Sequence, residues 1–106
     1  MGKTYLDLGE ILKQINRECY GVENVYFQPP DNMKMRYPCT VYALEDIRNS
    51  NADNFPYKQD TAYSVTIIDK SPNSPIVNKV KMLPQCSFDR HYVTDNLNHY
   101  VFTIYI

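Results

Sequence analysis

Cys86-Ser-Phe-Asp-Arg-His-Tyr-Val-Thr-Asp-Asn-Leu-Asn-His-Tyr-Val-Phe-Thr-Ile-Tyr-Ile106 is the stretch that decides the fold. It reads as two β-strands around a polar turn. In the second strand Tyr100, Phe102, Ile104 and Ile106 fall on one face. His99, Val101, Thr103 and Tyr105 fall on the other. Side chains of a strand alternate between faces, and aromatic and β-branched residues suit a pleated surface. A strand running to residue 106 predicts that this end of the chain is tied into a sheet.

Upstream, Ala62 to Ile68 reads as a further strand with Tyr63, Val65 and Ile67 on one face. Tyr37 to Leu44 reads as another, with Pro38 at its start, where a missing N–H is tolerated. Asp69 to Ser74 forms a turn into a short helix. Ser74 suits its N-cap and Pro75 its first position. Ile76, Val77, Val80 and Leu83 give that helix an apolar face, and Pro84 ends it. Near the N-terminus Leu8, Ile11, Leu12, Ile15 and Cys19 line one helical face. Asp7 is placed to cap this helix with Glu10 three residues on, and Gly21 to stop it in the left-handed conformation. Val25 to Gln28 suits a short strand closed by Pro29-Pro30. The expected order is α-β-β-α-β-β in one α+β domain over residues 1–106. It implies a single four-stranded, mainly antiparallel sheet with two helices packed on one face. The expected core is Ile11, Leu12, Val41, Val65, Ile67, Leu83, Phe102 and Ile104.

The link between the first two of these strands is anomalous. It runs from about Glu45 to Gln59, where hairpin loops usually take two to five residues. Either both strands extend and the turn lies near Asn49–Asn54, or the segment is a mobile arm that orders on a partner. A protruding hairpin satisfies both. Phe55, Pro56 and Tyr57 argue against simple disorder.

Composition narrows the function. The net charge of −1 and the absence of any Lys/Arg cluster give no reason to expect nucleic-acid binding. No apolar run approaches 18 residues, so no membrane span is expected. Three widely spaced cysteines, Cys19, Cys39 and Cys86, suggest reduced thiols rather than a disulfide framework. With three glycines, none within ten residues of another except Gly2 and Gly9, no phosphate-cradling loop can be drawn. Ten tyrosines and no tryptophan suit half-buried sheet faces and subunit interfaces.

Candidate chemistry is thin. Cys86, Asp89, His91 and His99 are near in sequence but lack paired metal-ligand spacing. Strand alternation would put Asp89 and His91 on one face and Cys86 on the other. Cys39, at the parity of Val41, reads as a core thiol rather than a nucleophile. Glu45, Asp46, Asp53 and Asp60 are loop acids with no implied pocket to raise a pKa. Asp89 and Arg90 are adjacent and should face opposite ways. The chain therefore suggests no enzyme, no cofactor and no metal.

Several blocks, in order, carry a resemblance: Tyr37-Pro-Cys-Thr-Val-Tyr42, Ala52-Asp-Asn54, Val65-Thr-Ile-Ile-Asp-Lys-Ser-Pro-Asn-Ser-Pro-Ile76 and the C-terminal stretch. Together they span from about residue 36 onward, and none is a catalytic signature. In these blocks the chain resembles the small neck and tail-terminator-like, head–tail joining proteins of long-tailed bacteriophages and prophages. The resemblance implies a structural assembly protein, located in the virion and, during assembly, in the host cytoplasm. It implies a homo-oligomeric ring between tail tube and head connector proteins. The residues expected at its interfaces are Asp46, Arg48, Asn51, Asp53, Asn54, Phe55 and Tyr57 of the arm, with Tyr92 and Tyr105. A small prophage-encoded binding module or regulator of a host protein would be equally silent chemically.

Overall fold

A computed structural model describes residues 5–50 and 58–105, with side chains except at 46–50 and 58–60. The elements are α1 (Tyr5–Tyr20), β1 (Val25–Phe27), β2 (Cys39–Ser50), β3 (Lys58–Asp69), α2 (Pro75–Val80), β4 (Cys86–Thr94) and β5 (Leu97–Tyr105). The α+β class is as expected, but the sheet is five-stranded and mixed rather than four-stranded. Its order is β1-β2-β3-β5-β4. β1 pairs parallel with β2, and every other pair is antiparallel. A parallel pair needs a long crossover, which the connection between Phe27 and Cys39 supplies.

Register assigns the faces. Tyr42 pairs with Val65, and Val65 with Phe102. These three, with Tyr63, Ile67 and Ile104, form one face against Leu8, Leu12 and Ile15 of α1 and Ile76 and Val80 of α2. Each such side chain contributes roughly 1.5–3 kcal/mol on full burial. Five of the eight expected core residues, Leu12, Val65, Ile67, Phe102 and Ile104, lie in this core. Val41 does not: pairing with Thr66 puts it on the face away from the helices, and Tyr42 takes the core position. Ile11 and Leu83 pack only at the core margin. For Leu83 the reason is that α2 ends at Val80 and the chain turns, with Leu83 N–H donating to Val80 O at 3.0 Å.

The helix ends follow the sequence in part. Gly21 adopts φ +72 and donates its N–H to Arg17 O at 2.8 Å, closing α1 in the left-handed conformation. Asp7 is no N-cap, since α1 already includes Tyr5. It sits in the first turn, where an acidic side chain complements the helix dipole. Ser74 and Pro75 occupy the cap and first positions of α2, but Ser74 makes no side-chain cap bond.

Two polar ties orient α1 on the sheet. Buried Asn16 donates to Leu12 O at 2.8 Å and to Thr40 Oγ1 of β2 at 3.0 Å. Tyr20 donates to Asp69 Oδ2, at the end of β3, at 2.5 Å. At the other end of α1, the Tyr42 hydroxyl donates to Tyr5 O at 3.0 Å. A Cβ on Gly9 would collide with that hydroxyl. Alanine is better than glycine inside a helix by up to about 1 kcal/mol. Here Gly9→Ala should nevertheless destabilise the protein, and adding Tyr42→Phe should recover part of the loss. Urea titration of the single and double variants measures this. Equal losses in both would show that the hydroxyl is not the obstacle.

The described residues of the long link are strand. β2 and β3 stay paired past Asp46↔Ala62, through Ile47↔Thr61, Arg48↔Asp60 and Asn49↔Gln59, to Ser50↔Lys58. β5 reaches only Tyr105↔Ala62. The four pairs beyond that row therefore form a two-stranded ribbon with no third strand among the described residues. A register shift at Glu45, between Leu44 and Asp46, marks where the ribbon leaves the sheet. The molecule is correspondingly long, at 48 × 27 × 24 Å.

Candidate interaction surface

The expected interface residues divide into three groups. Asp46 and Arg48 lie on β2 in or beside the ribbon, opposite Ala62 and Asp60. Asn51, Asp53, Asn54, Phe55 and Tyr57 lie outside the described residues. Tyr92 and Tyr105 lie on the main sheet, and register places both on the face away from the helices. Tyr105 sits opposite Ala62, in the last three-stranded row before the ribbon, and is half-buried. Tyr92 sits on β4, near the other end of the sheet, and is exposed. The structure does not bring these two tyrosines together.

Tyr92 belongs to a small aromatic stack. Its ring lies 4.6 Å from that of His99, nearly parallel at 13°. The Arg90 guanidinium lies 5.9 Å from the Tyr92 centroid, in the range of a cation–π contact. Both neighbours stiffen the ring in a solvent-facing position.

β4 is the feature that the sequence underplayed. It is an edge strand, opposite β1, and all but its first residue are exposed. The helices do not cover it. Phe88, 58% exposed, leans edge-on against Phe102 at 5.4 Å, and Val93 is 60% exposed. The legible signal was composition: Ser87 to Thr94 is mostly polar and lacks the apolar alternation of β5.

A bulge in β4 corrects the expected geometry of the Cys/Asp/His group. Phe88 pairs with Phe102 and Arg90 with Val101, so Asp89 is the extra residue. The insertion reverses the parity beyond it. Cys86 and His91 consequently lie on the same, helix-side face, opposite Ile104 and Tyr100. His91 packs against the Tyr100 ring at 4.7 Å. His99 lies on the opposite face with Tyr92. The bulge also lets Arg90 fold onto its neighbour Asp89 at 2.9 Å, where alternation alone would separate them. No three metal-ligating side chains gather among the described residues.

The three cysteines are free thiols. Burial pushes the Cys39 thiol up to about 12 and raises those of Cys19 and Cys86. The reactive species of a thiol is the thiolate, which a raised pKa suppresses at neutral pH. Cys39 should therefore resist a thiol reagent such as DTNB in the native protein at pH 8 and react fully in denaturant. Rapid modification of a Cys39-only variant in its native state would contradict this.

No described helix is long and apolar enough to cross a membrane. No protein-family model matches the chain, and no curated protein matches it.

Proposed function

We propose that this chain is a phage virion assembly protein: a tail-terminator or neck subunit that forms a homo-oligomeric ring between tail tube and head connector. The role is structural, without catalysis, cofactor, direct nucleic-acid contact or membrane. The observation that carries the reading is the β2–β3 ribbon, which continues four residue pairs past the sheet. A two-stranded hairpin is marginal in water by itself, so a ribbon held clear of its own sheet is suited to docking on something else. The sequence blocks from Tyr37 onward point the same way.

The test is assembly. The purified chain should shift from monomer to a closed ring with rising concentration in sedimentation velocity. Replacing residues 47–61 by a two-residue turn should leave the fold nearly intact, since loop-closure entropy changes by only ~0.6 kcal/mol per doubling of length. The same change should abolish rings. Particles of the phage lacking the gene should show unjoined heads, with overlong tails for a terminator or normal tails for a neck subunit. A chain that stays monomeric at all concentrations and binds one host protein would instead support a small prophage-encoded regulator.

A further inference from the structure

We infer that the β2–β3 ribbon of one copy adds to the outer edge of β4 of the next, so that the sheet continues from subunit to subunit. The inference rests on the assembly reading and specifies its contact. Its starting point is the turn after β4. Thr94 and Leu97 are register partners, and Asp95 and Asn96 between them have φ 54 and 61. Positive φ at both central residues makes this a two-residue type I′ hairpin turn, whose flanking residues form a hydrogen-bonded pair. Antiparallel pairs alternate between bonded and non-bonded. Val93↔Asn98 and His91↔Tyr100 are therefore non-bonded pairs. The N–H and C=O groups of Val93 and His91 consequently aim away from β5, toward the open edge.

That edge is a template for another strand, because unpaired backbone groups in a row recruit one. The regular stretch after the bulge, Arg90 to Thr94, is long enough to take a whole strand of the four-pair ribbon. Charge does not oppose the contact. The ribbon strands carry Arg48, Lys58 and Asp60, a net charge of only +1, and β4 carries Asp89 and Arg90, which balance. Exposed Phe88, Tyr92 and Val93 offer an added strand side-chain contacts on β4.

The two surfaces cannot meet within one chain. The ribbon leaves the sheet past the Ala62↔Tyr105 row, whereas Val93 lies opposite Asn98, which pairs with Asp69 at the other end. Two different surfaces at opposite ends of a protomer make a heterologous contact. Such a contact closes into a ring when the rotation per subunit allows it.

Two blocked chains test this together. One has residues 47–61 replaced by a two-residue turn and keeps an intact β4 edge. The other is Val93→Pro, which removes an outward N–H and no β4–β5 bond, in a strand position where proline is tolerated. Each alone should remain monomeric, and an equimolar mixture should give a one-to-one heterodimer and nothing larger. Amide exchange in the wild-type assembly gives an independent measurement, valid even if Val93→Pro folds poorly. His91 and Val93 N–H should exchange about tenfold or more slowly than in the monomer. Rings formed by either blocked chain alone, a mixture that stays monomeric with both chains folded, or unchanged exchange at His91 and Val93 would overturn the contact while leaving the ring reading standing. A wild-type chain that never assembles would overturn both.

Discussion

Phe102→Ala is expected to remove about 3–5 kcal/mol of folding stability, the usual range for truncating a buried aromatic. Domains of this size hold only about 5–15 kcal/mol in total, so the variant should be marginal at room temperature. The size of the effect follows from position. Phe102 is buried at the centre of β5, opposite Val65 on one side and Phe88 on the other. It is among the largest fully buried side chains, and its ring lies under the helices. Rigid strands on both sides limit collapse around the missing ring, so a cavity term adds to the lost burial. Chemical denaturation should show a large fall in midpoint with an unchanged slope. Phe88→Ala provides the contrast. Its ring touches Phe102 but is more than half exposed, so its loss should be much smaller. Equal losses at the two positions would mean that the helices do not seal the sheet as described.

What made Phe102 legible in the sequence was period. Tyr63, Val65 and Ile67, and Phe102 and Ile104, alternate without interruption, so their shared face could be read directly. β2 was harder, because Cys39, Thr40, Val41 and Tyr42 all pass as buried strand residues. Cys39, Thr40 and Tyr42 are buried, on opposite faces, and only the register with β3 decides that Tyr42 rather than Val41 faces the helices. The bulge at Asp89 was equally invisible, since one inserted residue leaves no compositional mark yet reverses the facing of His91. The parallel pairing of β1 depends on a crossover over distant backbone, which three residues of strand cannot announce. The length of the link between Leu44 and Ala62 left room for both strands to extend, and the described parts of β2 and β3 do run on to Ser50 and from Lys58. The openness of β4 depends on where the helices stop, a property of packing rather than of local sequence.

Alkaline pH should unfold this protein unusually steeply. Burial pushes the thiol of Cys39 and the phenol of Tyr20 up to about 12, the latter helped by its bond to Asp69. Burial also raises Tyr42, Tyr63, Tyr100, Cys19 and Cys86. In the unfolded chain these groups ionise near 9 for thiols and 10 for phenols. Between those values and the folded ones the native state holds protons that the unfolded state has released. Stability therefore falls as pH rises through this window, and the contribution is complete only below about 9. For fully buried Cys39 the slope approaches 1.4 kcal/mol per pH unit, or roughly 4 kcal/mol by pH 12. Tyr20 is more than a third exposed, and solvent screening reduces its share. Urea titrations from pH 8 to 11 should show the fall, and Cys39→Ala should flatten it above pH 9 at some cost in packing. An unchanged slope in Cys39→Ala would place the titrating groups elsewhere, among the tyrosines that tie α1 to the sheet.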